Sequence, residues 1–140
     1  MVVIFRIALV VALGLAGGVA WAENFTNAAE VKPILTATKA AWIAVQPYDG
    51  HDLLYFTNAL AWRCGVAEIR YGVNGARAET VLAMEPCHGD EAAPNALKLE
   101  GVLPYVTLPL NSVQSVSVVV VFDDGSAEPA EYLRAAVLMP

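Results

Sequence analysis

The sequence predicts an all-β domain, an antiparallel sandwich of about seven short strands, stapled by one disulfide and preceded by an arm or short helix. Three observations carry that prediction. Strand-length runs, apolar or alternating, recur with turn residues about every ten positions. Two hairpin signals stand out, Asn74-Gly75 and Asp123-Asp124-Gly125-Ser126. A single pair of cysteines, Cys64 and Cys87, follows a leader-like N-terminus.

The first 22 residues, MVVIFRIALVVALGLAGGVAWA, place one positive charge at Arg6 ahead of an apolar run and end on Ala20-Trp21-Ala22. That is the layout of a secretory signal peptide with an A-x-A cleavage site. The competing reading is an uncleaved anchor. The run after Arg6 is shorter than the roughly 20 apolar residues a bilayer span needs, which favours cleavage after Ala22. Removing 22 of 140 residues leaves 118, one domain with one modest core.

Arg6 is the leader's only charged residue, so the mature chain holds seven Lys and Arg against fourteen Asp and Glu, a formal charge of −7. Such a surface repels nucleic acid and anionic lipid and suits basic partners or cations. Export to a periplasmic or extracellular compartment makes a Cys64–Cys87 disulfide the expected state of the pair. Closing its loop of about 24 residues stabilises the fold by about 3.4 kcal/mol on the chain-entropy estimate. A metal or redox pair is the alternative, but the C-x-x-C spacing is missing.

Along the mature chain, residues 23–39 are polar and mixed, and Asn27 can cap a short helix over 28–32. Pro33 should limit that helix, leaving a loosely attached arm. Asn24-Phe25-Thr26 matches a glycosylation acceptor pattern, relevant only in a host that glycosylates exported proteins. The sandwich domain then covers 40–140. Its first strand is read at 40–45, AAWIAV, stopping at the turn formers Pro47-Tyr48-Asp49-Gly50. Residues 53–62 are nearly all apolar. A helix is open there, and Tyr55, Phe56 and Thr57 tilt the reading to strand.

A tight turn at Cys64-Gly65 leads into 66–71, where Ala67, Ile69 and Tyr71 share one face and Glu68 and Arg70 the other. Asn74-Gly75 should fold 78–82 back antiparallel on that strand. Residues 83–101 hold two prolines and two glycines without strand periodicity, a long loop that Cys87 would tie to Cys64. Residues 105–108 lie between Pro104 and Pro109, which suits an edge strand. Within 113–122, Val116, Val118, Val120 and Phe122 form one face, Ser115 and Ser117 begin the other, and Val119 and Val121 make the later half apolar on both sides, the mark of a central strand. Residues 131–138 should return from the last turn with Leu133, Ala135 and Val137 on one side.

The EIRYGVNG and VSVVVVFDDGS hairpins, about half of the mature chain, resemble those of bacterial immunoglobulin-like or fibronectin type III-like sandwich modules. The resemblance implies architecture alone. Cys64 and Cys87 flank a hairpin, so they would not bridge the two sheets as antibody cysteines do.

The function classes follow from what is present. No nucleophile sits in an elbow or beside a recognisable base, so no catalytic residues and no cofactor are assigned. The leading reading is a non-enzymatic exported module contacting a protein or cell-envelope component through a sandwich face, an edge strand or the tethered loop. A second is a small periplasmic metal-binding protein or enzyme using His51, His88, Asp90 and Glu91, residue types that ligate zinc-like ions, here in no known ligand spacing. A third is carbohydrate binding through exposed aromatics, with Tyr48, Trp42 and Trp62 as candidates and Tyr48 set apart by its place in a turn beside His51. Asp123 and Asp124 read as a hairpin tip, and Arg63 and Arg70 as surface cations with minor pairing.

Overall fold

The structure is a computed structural model that describes Gly14 and residues 24–140. The leader reading over residues 1–22, apart from Gly14, and its cleavage point therefore lie outside the described residues. Among the described residues no helix is long and apolar enough to cross a membrane.

Helix α1, Ala28–Ala37, begins where Asn27 caps it: the Asn27 carboxamide oxygen accepts the Glu30 backbone N–H at 3.0 Å. Glu30 reaches back to accept the Phe25 N–H at 2.8 Å, a reciprocal arrangement like a capping box. The helix does not stop at Pro33 but runs through it. Proline removes its own N–H bond and its ring crowds the Ala29 carbonyl, and burial of Ala28, Val31 and Leu35 outweighs both costs. The expected loose arm is therefore a wall of the core.

Among the described residues seven strands form two antiparallel sheets, β1 (Ala44–Tyr48), β2 (His51–Tyr55) and β5 (Tyr105–Pro109) in one, and β4 (Thr80–Val81), β3 (Val66–Val73), β6 (Ser115–Phe122) and β7 (Ala127–Leu133) in the other. The sheet orders are β1-β2-β5 and β4-β3-β6-β7. One core draws on both sheets: Val45 and Leu54 from the first, Ile69, Val116, Val118, Val120 and Phe122 from the second, and Val31, Leu35 and Trp42 from the N-terminal segment. Strand β6 is central and β5 pairs only with β2, as the sequence predicts for each.

Several boundaries differ from the sequence reading, each for a physical reason. The first strand starts at Ala44. Residues Lys39–Ala41 form a 3-10 turn that drops Trp42 into the core, where its indole N–H donates to the Leu35 carbonyl at 2.8 Å. Pro47 and Tyr48 belong to the strand, and only Asp49 and Gly50 make the turn, both at positive φ (49° and 76°). The apolar run 53–62 serves two elements, β2 and then a helical turn α2 (Thr57–Leu60) that buries Ala59 and Leu60. Apolarity alone does not separate a two-sided strand from a buried helix.

The expected Cys64-Gly65 turn is a 3-10 turn, Arg63–Gly65, pressed against the start of α1. A Cβ at Gly65 would lie 2.3 Å from Val31 Cγ2 and 2.6 Å from the Asn27 carbonyl oxygen, so glycine is required there by contact. In β3 a register shift between Val66 and Glu68 leaves Ala67 exposed, so Ala67 does not share the face of Ile69. Asn74 and Gly75 take positive φ (56° and 85°) as read, but the returning strand β4 is only two residues long. Residues 83–101 contain no strand or helix, as expected of the loop. The last hairpin returns at once as β7, and residues 134–137 form a helical turn α3 (Arg134–Val137), which leaves Leu133 71% exposed, away from the buried side where Val137 packs.

Candidate functional site

The two cysteines are joined, Cys64 in the 3-10 turn to Cys87 in the 83–101 loop. Sequence reasoning missed the second clasp on that loop. Arg63, read as a surface cation, is 2% exposed. Its Nε donates to the Glu85 carbonyl at 2.8 Å. Its Nη1 donates to the Asn95 carbonyl at 2.6 Å and to that of Leu60 at 3.3 Å, and its Nη2 to those of Pro86 and Ala96 at 2.9 and 3.1 Å. A guanidinium satisfied by five backbone carbonyls fixes both flanks of a loop in a way no lysine could. Burial lowers the Arg63 pKa and the nearby Glu85 carboxylate opposes that shift.

Glu85, also buried, accepts from His88 Nε2 at 2.7 Å and from the Lys98 and Leu99 backbone N–H groups at 2.8 and 3.1 Å. The His88 bond, followed by the Lys98 N–H, holds the Glu85 carboxyl down at about 2. Asn95 completes the clasp. Its side chain accepts the Cys64 N–H and donates to the Phe25 carbonyl, both at 2.8 Å. The only sequence signal for this network was a cation beside a cysteine and acids in the loop, which does not reveal burial.

The proposed metal ligands are thereby dispersed. His88 is engaged with Glu85, Glu91 pairs with Lys98 at 2.6 Å, and Asp90 is exposed. His51 lies at the start of β2, where its Nδ1 meets the Asp49 carbonyl at 2.9 Å, and shares no groove with His88. Among the described residues no group of three or more His, Cys, Asp or Glu side chains is placed to hold a metal ion. Asp52, a second buried acid with a strongly lowered pKa, is fully buried. Arg134 pairs with both its oxygens at 2.6 and 3.1 Å, Val113 donates a backbone N–H at 3.1 Å, and the Arg134 bond above all lowers its pKa to about 2.

Of the aromatic candidates, Trp42 is in the core, and Trp62 is half-buried edge-on against Phe25 with ring centroids 5.1 Å apart. Tyr48 is 64% exposed. Strand pairing puts it on a regular face. The pairs Ala44↔Tyr55↔Tyr105, Gln46↔Leu53↔Thr107 and Tyr48↔His51↔Pro109 form three rows across β1-β2-β5, while Val45, Asp52 and Leu54 alternate to the opposite, buried side. Tyr55 and Tyr105 sit 5.1 Å apart at one end, their planes tilted by 56°. Between the ends lies a shallow groove of about 480 Å³ with Leu53 as its apolar floor. Sequence analysis singled out Tyr48 and the turn beside His51. It could not find Tyr55 and Tyr105 as partners, because only sheet register brings positions 50 residues apart together.

Beside this face, past Gln46 and Tyr55, lies a more apolar groove of about 660 Å³ under residues 136–139. Its lining offers few ionisable or hydrogen-bonding side chains, mainly Gln46, Tyr55, Thr57 and Asn58. No protein-family model matches the chain, and neither the curated proteins nor the solved structures contain a match to it.

Proposed function

We propose that this chain is an exported, non-enzymatic binding module whose contact surface is the outer face of β1-β2-β5. The observation that carries the reading is the face itself: exposed Tyr48 and half-buried Tyr55 and Tyr105 are arrayed by sheet register around an apolar floor, on rigid strands rather than a mobile loop. Strongly shifted pKa values mark candidate catalytic groups, but here Asp52 and Glu85 are both locked in structural contacts away from this groove.

The architecture that supports the reading is a fibronectin type III-like or immunoglobulin-like sandwich. With β1, β2, β3, β5, β6 and β7 lettered A, B, C, E, F and G, the sheet orders become A-B-E and C-F-G, the orders of such modules, and β4 adds beside C. The formed disulfide agrees with export to an oxidising compartment.

The test is capture of envelope material from the exporting cell by the mature protein, run beside Tyr48→Ala and the Cys64→Ser/Cys87→Ser pair. Loss of capture with Tyr48→Ala and its retention in the cysteine variant are expected. The reverse pattern would move the contact to the tethered loop and sink the proposal.

A further inference from the structure

We infer that the tyrosine face takes a neutral oligosaccharide of pyranose rings, an inference that rests on that face being the binding surface. A pyranose offers an apolar face of C–H groups and a rim of hydroxyls that both donate and accept hydrogen bonds. The groove presents the complement of each. The negative faces of Tyr48, Tyr55 and Tyr105 attract C–H groups, and Leu53 closes the floor between them. The rim carries the Gln46 carboxamide, the Thr107 hydroxyl, the His51 ring and three phenol hydroxyls. Among the described residues the Gln46, Thr107 and three tyrosine side chains that line the groove make no hydrogen bond within the protein, which leaves their donors and acceptors open to a ligand or to solvent.

Size and charge select within that chemistry. The row of Tyr48 and the row of Tyr55 and Tyr105 are four residues apart along the strands, about 14 Å at the strand rise, so an extended chain of a few rings can meet both. A groove of about 480 Å³ falls within the size range of small-ligand sites. Its lining contains Asp49 and no Lys or Arg, on a chain of formal charge −6. That field disfavours uronic or phosphorylated glycans and leaves neutral ones.

The experiment is a titration of the mature, oxidised protein with cellohexaose, chitohexaose and hexagalacturonate, followed by amide chemical shifts and by calorimetry. At least one neutral hexasaccharide should bind and shift resonances of residues 46–55 and 105–107. Tyr48→Ala and Tyr105→Ala should each weaken it about ten-fold, and Tyr48→Phe, which keeps the ring, by less. Tyr48 is exposed, so its removal leaves the core intact, and an unchanged melting curve verifies that. Silence from both neutral sugars, or equal binding of hexagalacturonate, overturns the saccharide inference. If envelope capture still depends on Tyr48 in that case, the binding-face reading survives without it; if capture is also indifferent to Tyr48, both fall.

Discussion

Replacing Arg63 with methionine should cost more stability than opening the disulfide that borders it. Methionine keeps most of the buried stem but removes every donor. The Glu85 and Leu60 carbonyls are deeply buried acceptors of that guanidinium, and those of Asn95, Pro86 and Ala96 are partly buried. Leaving two buried acceptors unpaired costs about 2–6 kcal/mol at about 1–3 kcal/mol each. Removal of the desolvated charge returns part of this, and the Glu85 carboxylate loses its compensating cation at 4.0 Å. The balance is about 4 kcal/mol. Removing the disulfide, whose cysteines are 23 positions apart, costs at most about 3.4 kcal/mol by loop entropy.

Urea unfolding of Arg63→Met and of Cys64→Ser/Cys87→Ser gives both magnitudes, and hydrogen exchange locates the damage. The Lys98 and Leu99 amides, bonded to Glu85, should lose protection in the arginine variant and keep most of it in the cysteine variant. An arginine penalty under about 1 kcal/mol, or amides freed only by cysteine removal, would refute the reasoning that the guanidinium is the main clasp.

Three further outcomes are expected. Glu85 and Asp52 both have folded pKa values near 2, below their ordinary 4.5 and 3.8, so their stabilisation is complete at neutral pH and is lost as pH falls from about 4.5 toward 2. Glu85→Gln should flatten the fall of the urea midpoint in that window, and an unchanged slope would contradict the assignment. Asp52→Asn leaves Arg134 without its anion and should cost about 3 kcal/mol in urea unfolding. Gly65→Ala forces α1 off the 3-10 turn and should cost about 2 kcal/mol, read as a lowered melting temperature, whereas a neutral result would mean the contact relaxes freely.

Turn chemistry, strand alternation and the cysteine pair were legible because each is a local or compositional property. Asn74-Gly75 favours the positive φ that a tight hairpin turn demands and adopts it here, and the even positions of 116–122 share one face in any strand. Asn27 likewise caps its helix through groups three residues away. The division of 53–62 into strand and helix was not legible, since burial on both sides erases the period that distinguishes them. Nor did Pro33 end α1, because packing of Val31 and Leu35 outweighs a local preference.

The chain's own text determined that antiparallel strands, two hairpins and a tethered loop would form. Tertiary structure alone decided which charges were buried and which rings met. Arg63 becomes a clasp only because its turn and the loop close over it and leave backbone carbonyls in need of donors. Tyr55 and Tyr105 become one surface only because β2 and β5 pair in a register that puts them side by side. Long-range pairing is set by the whole core's burial, and no window of neighbouring residues contains that information.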